Sequence, residues 1–128
     1  MARILIIDDD EPFRVHLGVL LRNAGHMVLE VECAIHALDK ITLDPSPFDL
    51  LITDIFMPQM DGFELLSTLL RHHPRIRVIA MSGGGTGMTP HLALNVARKL
   101  GADALISKPF QPGEVIRMVE RALQTTPT

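Results

Sequence analysis

The chain has 128 residues, enough for one domain of ordinary size with a real hydrophobic core. A formal net charge of −3 without a long basic run argues against direct contact with nucleic acid, and a single cysteine, Cys33, excludes an internal disulfide. No apolar run approaches the ~20 residues that span a bilayer, and Met1-Ala2-Arg3 leads into a strand with no signal-peptide pattern. A cytoplasmic protein with no membrane partner is therefore expected.

The first predicted element is Arg3-Ile4-Leu5-Ile6-Ile7, a continuous apolar run of the kind that forms a parallel strand buried on both faces. It stops at Asp8-Asp9. A helix follows from about Glu11 to Ala24, with Pro12 in its opening turn, Gly25 as its stop, and Asp8 or Asp10 placed to cap it. On this helix Phe13, Leu17, Leu20 and Ala24 form an apolar stripe expected to be core, with His16 on the same side. Val15 and Val19 sit roughly opposite. A second strand is predicted over Met27 to Val31 and a second helix over Ala34 to Leu43. The turn cluster Asp44-Pro45-Ser46-Pro47 then leads into the strand Leu50-Leu51-Ile52-Thr53, which stops at Asp54. A third helix is expected over Phe63 to His72, a fourth strand over Arg77 to Met81, and a fourth helix over His91 to Leu100, ended by Gly101. The last strand, Ala104-Leu105-Ile106-Ser107, reaches Lys108 and Pro109; Pro112 opens a final helix to about Gln124.

Five strands alternating with five helices predict an α/β fold, a doubly wound five-stranded parallel sheet with right-handed crossovers. The domain covers 1–124, and 125–128 form a C-terminal tail. Strand order 2-1-3-4-5, borrowed from known flavodoxin-like (βα)5 folds, suits a site at the first and third strands. In such sheets ligands bind beyond the carboxyl ends of the strands, where Asp8, Asp9, Asp54 and Lys108 all fall. Two like charges about 4 Å apart repel by roughly 4 kcal/mol at an effective dielectric near 20. Three carboxylates facing one lysine therefore ask for a divalent cation or a raised pKa, and the set reads as a phosphate-handling site.

The segment Asp54-Ile55-Phe56-Met57-Pro58-Gln59-Met60-Asp61-Gly62 resembles the phosphoacceptor motif of response-regulator receiver domains. Asp8-Asp9, Ser82 and Lys108-Pro109 match the family's other positions in order, so the resemblance spans nearly the whole chain. It implies a stand-alone, single-domain regulator of the chemotaxis or sporulation type, a phosphorylation switch of a two-component or phosphorelay system. Such a domain is not a conventional enzyme, although it promotes its own phosphorylation and dephosphorylation. A receiver cut from a longer regulator is the alternative within the family. By the same resemblance Asp54 would take a phosphoryl group from the phosphohistidine of a sensor histidine kinase or histidine phosphotransfer protein. Asp9, Asp54 and the backbone carbonyl of Phe56 would bind Mg²⁺, an ion that favours oxygen ligands and retained waters, and Asp8 would act through metal-bound water. Lys108 would neutralise charge on the phosphoryl oxygens, while the Ser82 hydroxyl and the Gly83 amide would bind one of them. Asp61 would shape a turn, and the Lys108–Pro109 peptide would be cis.

The resemblance also sets expectations about output. Receivers meet their phosphodonor through the first helix, which makes Val15 and Val19 candidate partner contacts. Where the family usually carries Tyr or Phe, this chain has Leu105, a smaller side chain with no hydroxyl. Switching toward the downstream effector protein is accordingly expected to depend on the loop from Gly83 to Pro90 more than on Leu105. That glycine-rich loop is no nucleotide-binding motif: it follows the fourth strand, and Met88 stands where a P-loop has lysine. The six histidines read as structural, His72-His73 at a helix end among them. Two other classes fit less well. Asp8-Asp9-Asp10 resembles the start of haloacid-dehalogenase-type phosphatases, with Asp10 as acid, but Pro12 is out of pattern and the chain leaves little for a substrate cap. A flavodoxin-type carrier would lack any Trp or Tyr to stack its flavin.

Overall fold

Apolar runs too short for helices assemble here as adjacent parallel strands, the central ones buried on both faces. The computed structural model describes residues 1–43, 48–54, 67–68, 71, 76–83, 89–99 and 101–124. Among these, five strands, β1 (Arg3–Ile7), β2 (Met27–Val31), β3 (Leu50–Asp54), β4 (Arg77–Ser82) and β5 (Ala104–Ser107), pair in parallel in the order β2-β1-β3-β4-β5. Four helices are described: α1 (Glu11–Asn23), α2 (Ala34–Leu43), α3 (Pro90–Lys99) and α4 (Pro112–Gln124). The helix expected over 63–72 falls mostly outside the described residues, of which Ser67, Thr68 and Arg71 are helical. The turn cluster 44–47 and the tail 125–128 also lie outside them. No helix among the described residues is long and apolar enough to cross a membrane.

Strand alternation divides the core into two layers. Leu5, Ile7, Leu51, Val78 and Ala80 face Ala34 and Ala37 of α2 and Ala97 of α3. Ile4, Ile6, Ile52, Ile79, Met81 and Ile106 face Leu17 and Leu21 of α1 and Val115, Val119 and Ala122 of α4. Helices thus cover both faces, which is why β1, β3 and β4 are apolar except at or next to their ends. The register sets Ile7 against Thr53, so the residues that follow, Asp8 and Asp54, stand side by side.

Helix α1 begins as its sequence requires. Asp10 is the N-cap, its carboxylate accepting from the Phe13 amide at 3.2 Å, and Pro12 lies in the first turn. The helix ends at Ala24, followed by Gly25 at φ +96°. Its buried arc differs from the predicted stripe. Leu17, Gly18 and Leu21 are buried and Phe13 and Leu20 half-buried, whereas Ala24 and His16 are exposed. His16 instead stacks on Phe110, with ring centroids 6.0 Å apart. At roughly 100° per residue, the helix is rolled toward Gly18 and away from His16.

An ion-pair network explains the roll. Glu30, on the edge strand β2, lies with Oε2 3.0 Å from Arg22 Nη1 and Oε1 3.5 Å from Arg14 Nε. A Cβ at Gly18 would stand only 2.7 Å from that carboxylate, so the glycine makes room for it. The same arginines hold backbone: Arg14 Nη1 donates to the Asp8 carbonyl at 2.8 Å and Arg22 Nη2 to the Val28 carbonyl at 3.1 Å. Glu30→Gln leaves the mostly buried Arg14 without its counter-charge and is expected to cost about 1–3 kcal/mol. Urea unfolding followed by circular dichroism should show a lower midpoint at unchanged slope. An unchanged midpoint would mean the network is only a solvated surface contact.

Candidate functional site

β1 and β3 run to their last residue fully buried and then present carboxylates. Asp8 is 0% exposed and Asp54 8%, while Asp9 faces solvent. On the far side of β4 the sheet continues one residue past β5, because the Lys108 amide donates to the Ser82 carbonyl at 2.8 Å. The Lys108–Pro109 peptide is cis, as the resemblance implied. From there the lysine side chain reaches back across the sheet. Its Nζ donates to Asp8 Oδ2 at 2.7 Å and to Asp54 Oδ2 at 3.1 Å, and sits 4.2 Å from the centroid of the Phe13 ring.

The electrostatics are lopsided toward negative charge. Among the described residues, oxygens of Asp8, Asp9 and Asp54 all lie within 4.8 Å of one another, and the Lys108 ammonium bonds two of the three. Burial pushes the Asp8 carboxyl above its usual range, against hydrogen bonds from Lys108 and from the Asp10 amide. Burial pulls on Lys108 in the opposite sense, but hydrogen bonds to Asp8 and Asp54, with their charges, leave it above the ordinary lysine value. Both oxygens of Asp8 are engaged, one by Lys108 and the other by the Asp10 amide at 3.0 Å. Asp9 is the most accessible of the three. Hard oxygen donors in such a cluster fit a divalent cation, with Asp9 and Asp54 better placed than Asp8 to ligate it.

The other expected positions divide. Ser82 closes β4 at 7% exposure, and Gly83 follows it, half-buried, with Lys108 Cδ 4.0 Å from its Cβ position. Leu105 is half-buried and packs against the core layer that Val96 of α3 also borders, on the face opposite Ala104 and Ile106. Val15 and Val19 are 44% and 47% exposed. Phe56 and Asp61 lie outside the described residues, as do His72 and His73 and residues 84–88 of the glycine-rich loop. Two residues of the site escaped the sequence reading. Apolar spacing marks Phe13 only as core and does not single out Arg14, yet one faces the Lys108 ammonium and the other holds the Asp8 carbonyl. Their place directly after the Asp8–Asp10 turn was the available signal.

A flavodoxin-like sheet with an acidic triad and a lysine at its carboxyl edge is the architecture of receiver domains. The model of the response regulator receiver domain family matches residues 4–120, and the chain belongs to that family, the receiver domains of two-component systems. It is 33% identical over 124 residues to the response regulator receiver protein CpdR of Brucella abortus (strain 2308), covering 96% of this chain and 98% of that protein. To the DNA-binding transcriptional regulator NtrC of Azospirillum brasilense it is 36% identical over 124 residues, covering 97% of this chain but only 24% of NtrC. The crystal structure of the receiver domain of NtrX from Brucella abortus superposes with a TM-score of 0.85 at 32% identity, covering 96% of this chain and 99% of that one.

Neutralising one member of the acidic triad should relieve more repulsion than it loses attraction. Because folding raises Asp8, its protonated form favours the fold: that contribution is complete below the usual carboxylate pKa and is lost as pH rises through the raised one. Above that window, in chelator, Asp54→Asn is expected to be more stable than the parent by about 1 kcal/mol. Thermal unfolding at neutral pH measures it, and a destabilised variant would mean the Lys108 bond to Asp54 outweighs the repulsion.

Proposed function

We propose that this chain is a phosphorylation-dependent switch that accepts a phosphoryl group on Asp54. The observation that supports this most directly is the Lys108 ammonium, which bridges Asp8 and Asp54 across a sheet edge crowded with negative charge. In this reading an Asp54 oxygen attacks the phosphorus of a phosphohistidine on a histidine kinase or phosphotransfer protein. The P–N bond breaks, a P–O bond forms, and the histidine leaves with its electron pair. Charge on the three equatorial oxygens is met from this chain by Lys108, which moves its hydrogen bond from Asp54 Oδ2 to a phosphoryl oxygen while Asp8 holds its other side. The Ser82 hydroxyl and Gly83 amide, on the neighbouring strand end, bind a second oxygen. Asp9 and Asp54 would hold Mg²⁺, with the Phe56 carbonyl and a water-mediated Asp8 as the family resemblance implies, and the ion would supply additional positive charge. Positioning and charge supply most of the rate in such transfers.

Output passes to an effector protein through the surface that responds to this change. The chain spans nearly all of CpdR and about a quarter of NtrC, so both a single-domain regulator of residues 1–124 and the receiver portion of a longer one suit the comparisons. The phosphatase reading is less well supported, since Asp10 serves as the N-cap of α1, accepting from the Phe13 amide.

Acetyl phosphate with Mg²⁺ should label the parent protein and leave Asp54→Asn unlabelled. Mg²⁺ at a hundred times its dissociation constant should stabilise the parent by about 2.7 kcal/mol. Label that survives Asp54→Asn and disappears in Asp9→Asn would place the acceptor elsewhere.

The phosphodonor docks, in this reading, on the solvent face of α1. Val15 and Val19 lie one turn apart there and are nearly half exposed. Val15→Glu with Val19→Lys should slow transfer from a cognate kinase at least tenfold and leave acetyl phosphate labelling intact. Equal loss with both donors, or none with either, speaks against docking at this face.

A further inference from the structure

The Lys108 ammonium has a third neighbour that is neither a carboxylate nor a hydroxyl. Its Nζ lies 4.2 Å from the centroid of the Phe13 ring, within the range of a cation–π contact. Phe13 is rooted beside the acidic pair, because its amide donates to Asp10, the residue after Asp8-Asp9. Its ring meets Phe110 edge to face, with centroids 5.1 Å apart and planes at 85°, and His16 stacks on Phe110 from one turn further along α1. An aromatic clamp therefore ties the start of α1, next to Asp8 and Asp9, to the segment just after Lys108-Pro109.

We infer that Phe13 is a positioning residue for Lys108, its ring face holding the ammonium aimed at the phosphoryl site while the carboxylate partners change. This rests on the proposed role of Lys108 in phosphoryl transfer. The chemistry favours a ring over another acid at this place. Asp54 gives up its hydrogen bond to Lys108 when it becomes an acyl phosphate, and Asp8 sits in a cluster whose charge changes with cation binding. The face of a benzene ring attracts an ammonium through its quadrupole, yet offers no lone pair that would compete for the cation or the phosphoryl group. Its pull on Lys108 is the same before and after transfer.

The test is a fluorination series at position 13, installed site-specifically as phenylalanine, difluorophenylalanine and trifluorophenylalanine, with Phe13→Tyr and Phe13→Leu alongside. Fluorine drains the ring face while barely changing its size, so a role in filling space alone is insensitive to it. The acetyl phosphate labelling rate should fall stepwise with fluorination, about three- to tenfold in all, and Phe13→Tyr should keep most of it. Without any phosphodonor, the NMR signal of the Lys108 ε-methylene should be displaced by the ring current and revert in Phe13→Leu. Flat rates across the fluorinated series, or an ε-methylene indifferent to Phe13→Leu, overturn the inference. If the parent chain takes no label from acetyl phosphate, the phosphoacceptor reading falls and this one with it. Labelling that is abolished by Asp54→Asn but indifferent to fluorination removes this one alone.

Discussion

Everything at the carboxyl edge of this sheet depends on one ammonium held between two buried carboxylates. Lys108 comes from the last strand, Asp8 from the first and Asp54 from the third, so the contact closes only when β1, β3, β4 and β5 are all in register. Removing the ammonium would leave both carboxylates uncompensated, which makes the arrangement specific even where its net stabilisation is small. The pair is also incomplete by design of its charge. With Asp9 beside it, the cluster keeps an excess of negative charge that a bound cation, and then a phosphoryl group gripped by Lys108, would reorganise. A site held slightly out of electrostatic balance is suited to a switch, because a small change in its occupants alters which groups Lys108 must satisfy.

The surroundings of Lys108 are layered. Inside lie the apolar strands, which leave Asp8 fully buried and Asp54 8% exposed at their ends. Beside it lie the rings of Phe13 and Phe110, joining α1 to the segment after β5. Behind Asp8 lies Arg14, whose hydrogen bond to the Asp8 carbonyl ties the acidic turn to Glu30 on the edge strand. The first helix is thus more than a cover for the sheet. Its first turn caps itself through Asp10, faces the lysine through Phe13 and braces the turn through Arg14, within five residues.

Most of the fold was legible in the residue pattern. Buried parallel strands show as uninterrupted apolar runs, helices were marked by Pro12 and Pro112 at their starts and by Gly25 and Gly101 past their ends, and the observed strand and helix limits follow those marks within a residue or so. Asp8, Asp9, Asp54 and Lys108 were legible for the same reason: a charged residue ending an apolar run has to emerge at the sheet edge. The predicted stripe on α1 holds at Leu17 and Phe13 and misses at Ala24, with His16 beside it, because apolar spacing counts neither glycine nor arginine as core. Gly18 and Arg14 face the sheet there, with Glu30 between Arg14 and Arg22, and the helix rolls until His16 and Ala24 are exposed.

By itself, then, the sequence determined the number and kind of strands, their burial and the chemical character of the edge, because those follow from local hydrophobic pattern and turn chemistry. Only the tertiary structure decided which groups touch. That Lys108 bonds Asp8 at 2.7 Å and Asp54 at 3.1 Å while lying over Phe13 depends on residues up to 100 positions apart being brought together by strand order and register. Pairings of that kind are set by the packing of whole elements, and no window of local sequence contains them.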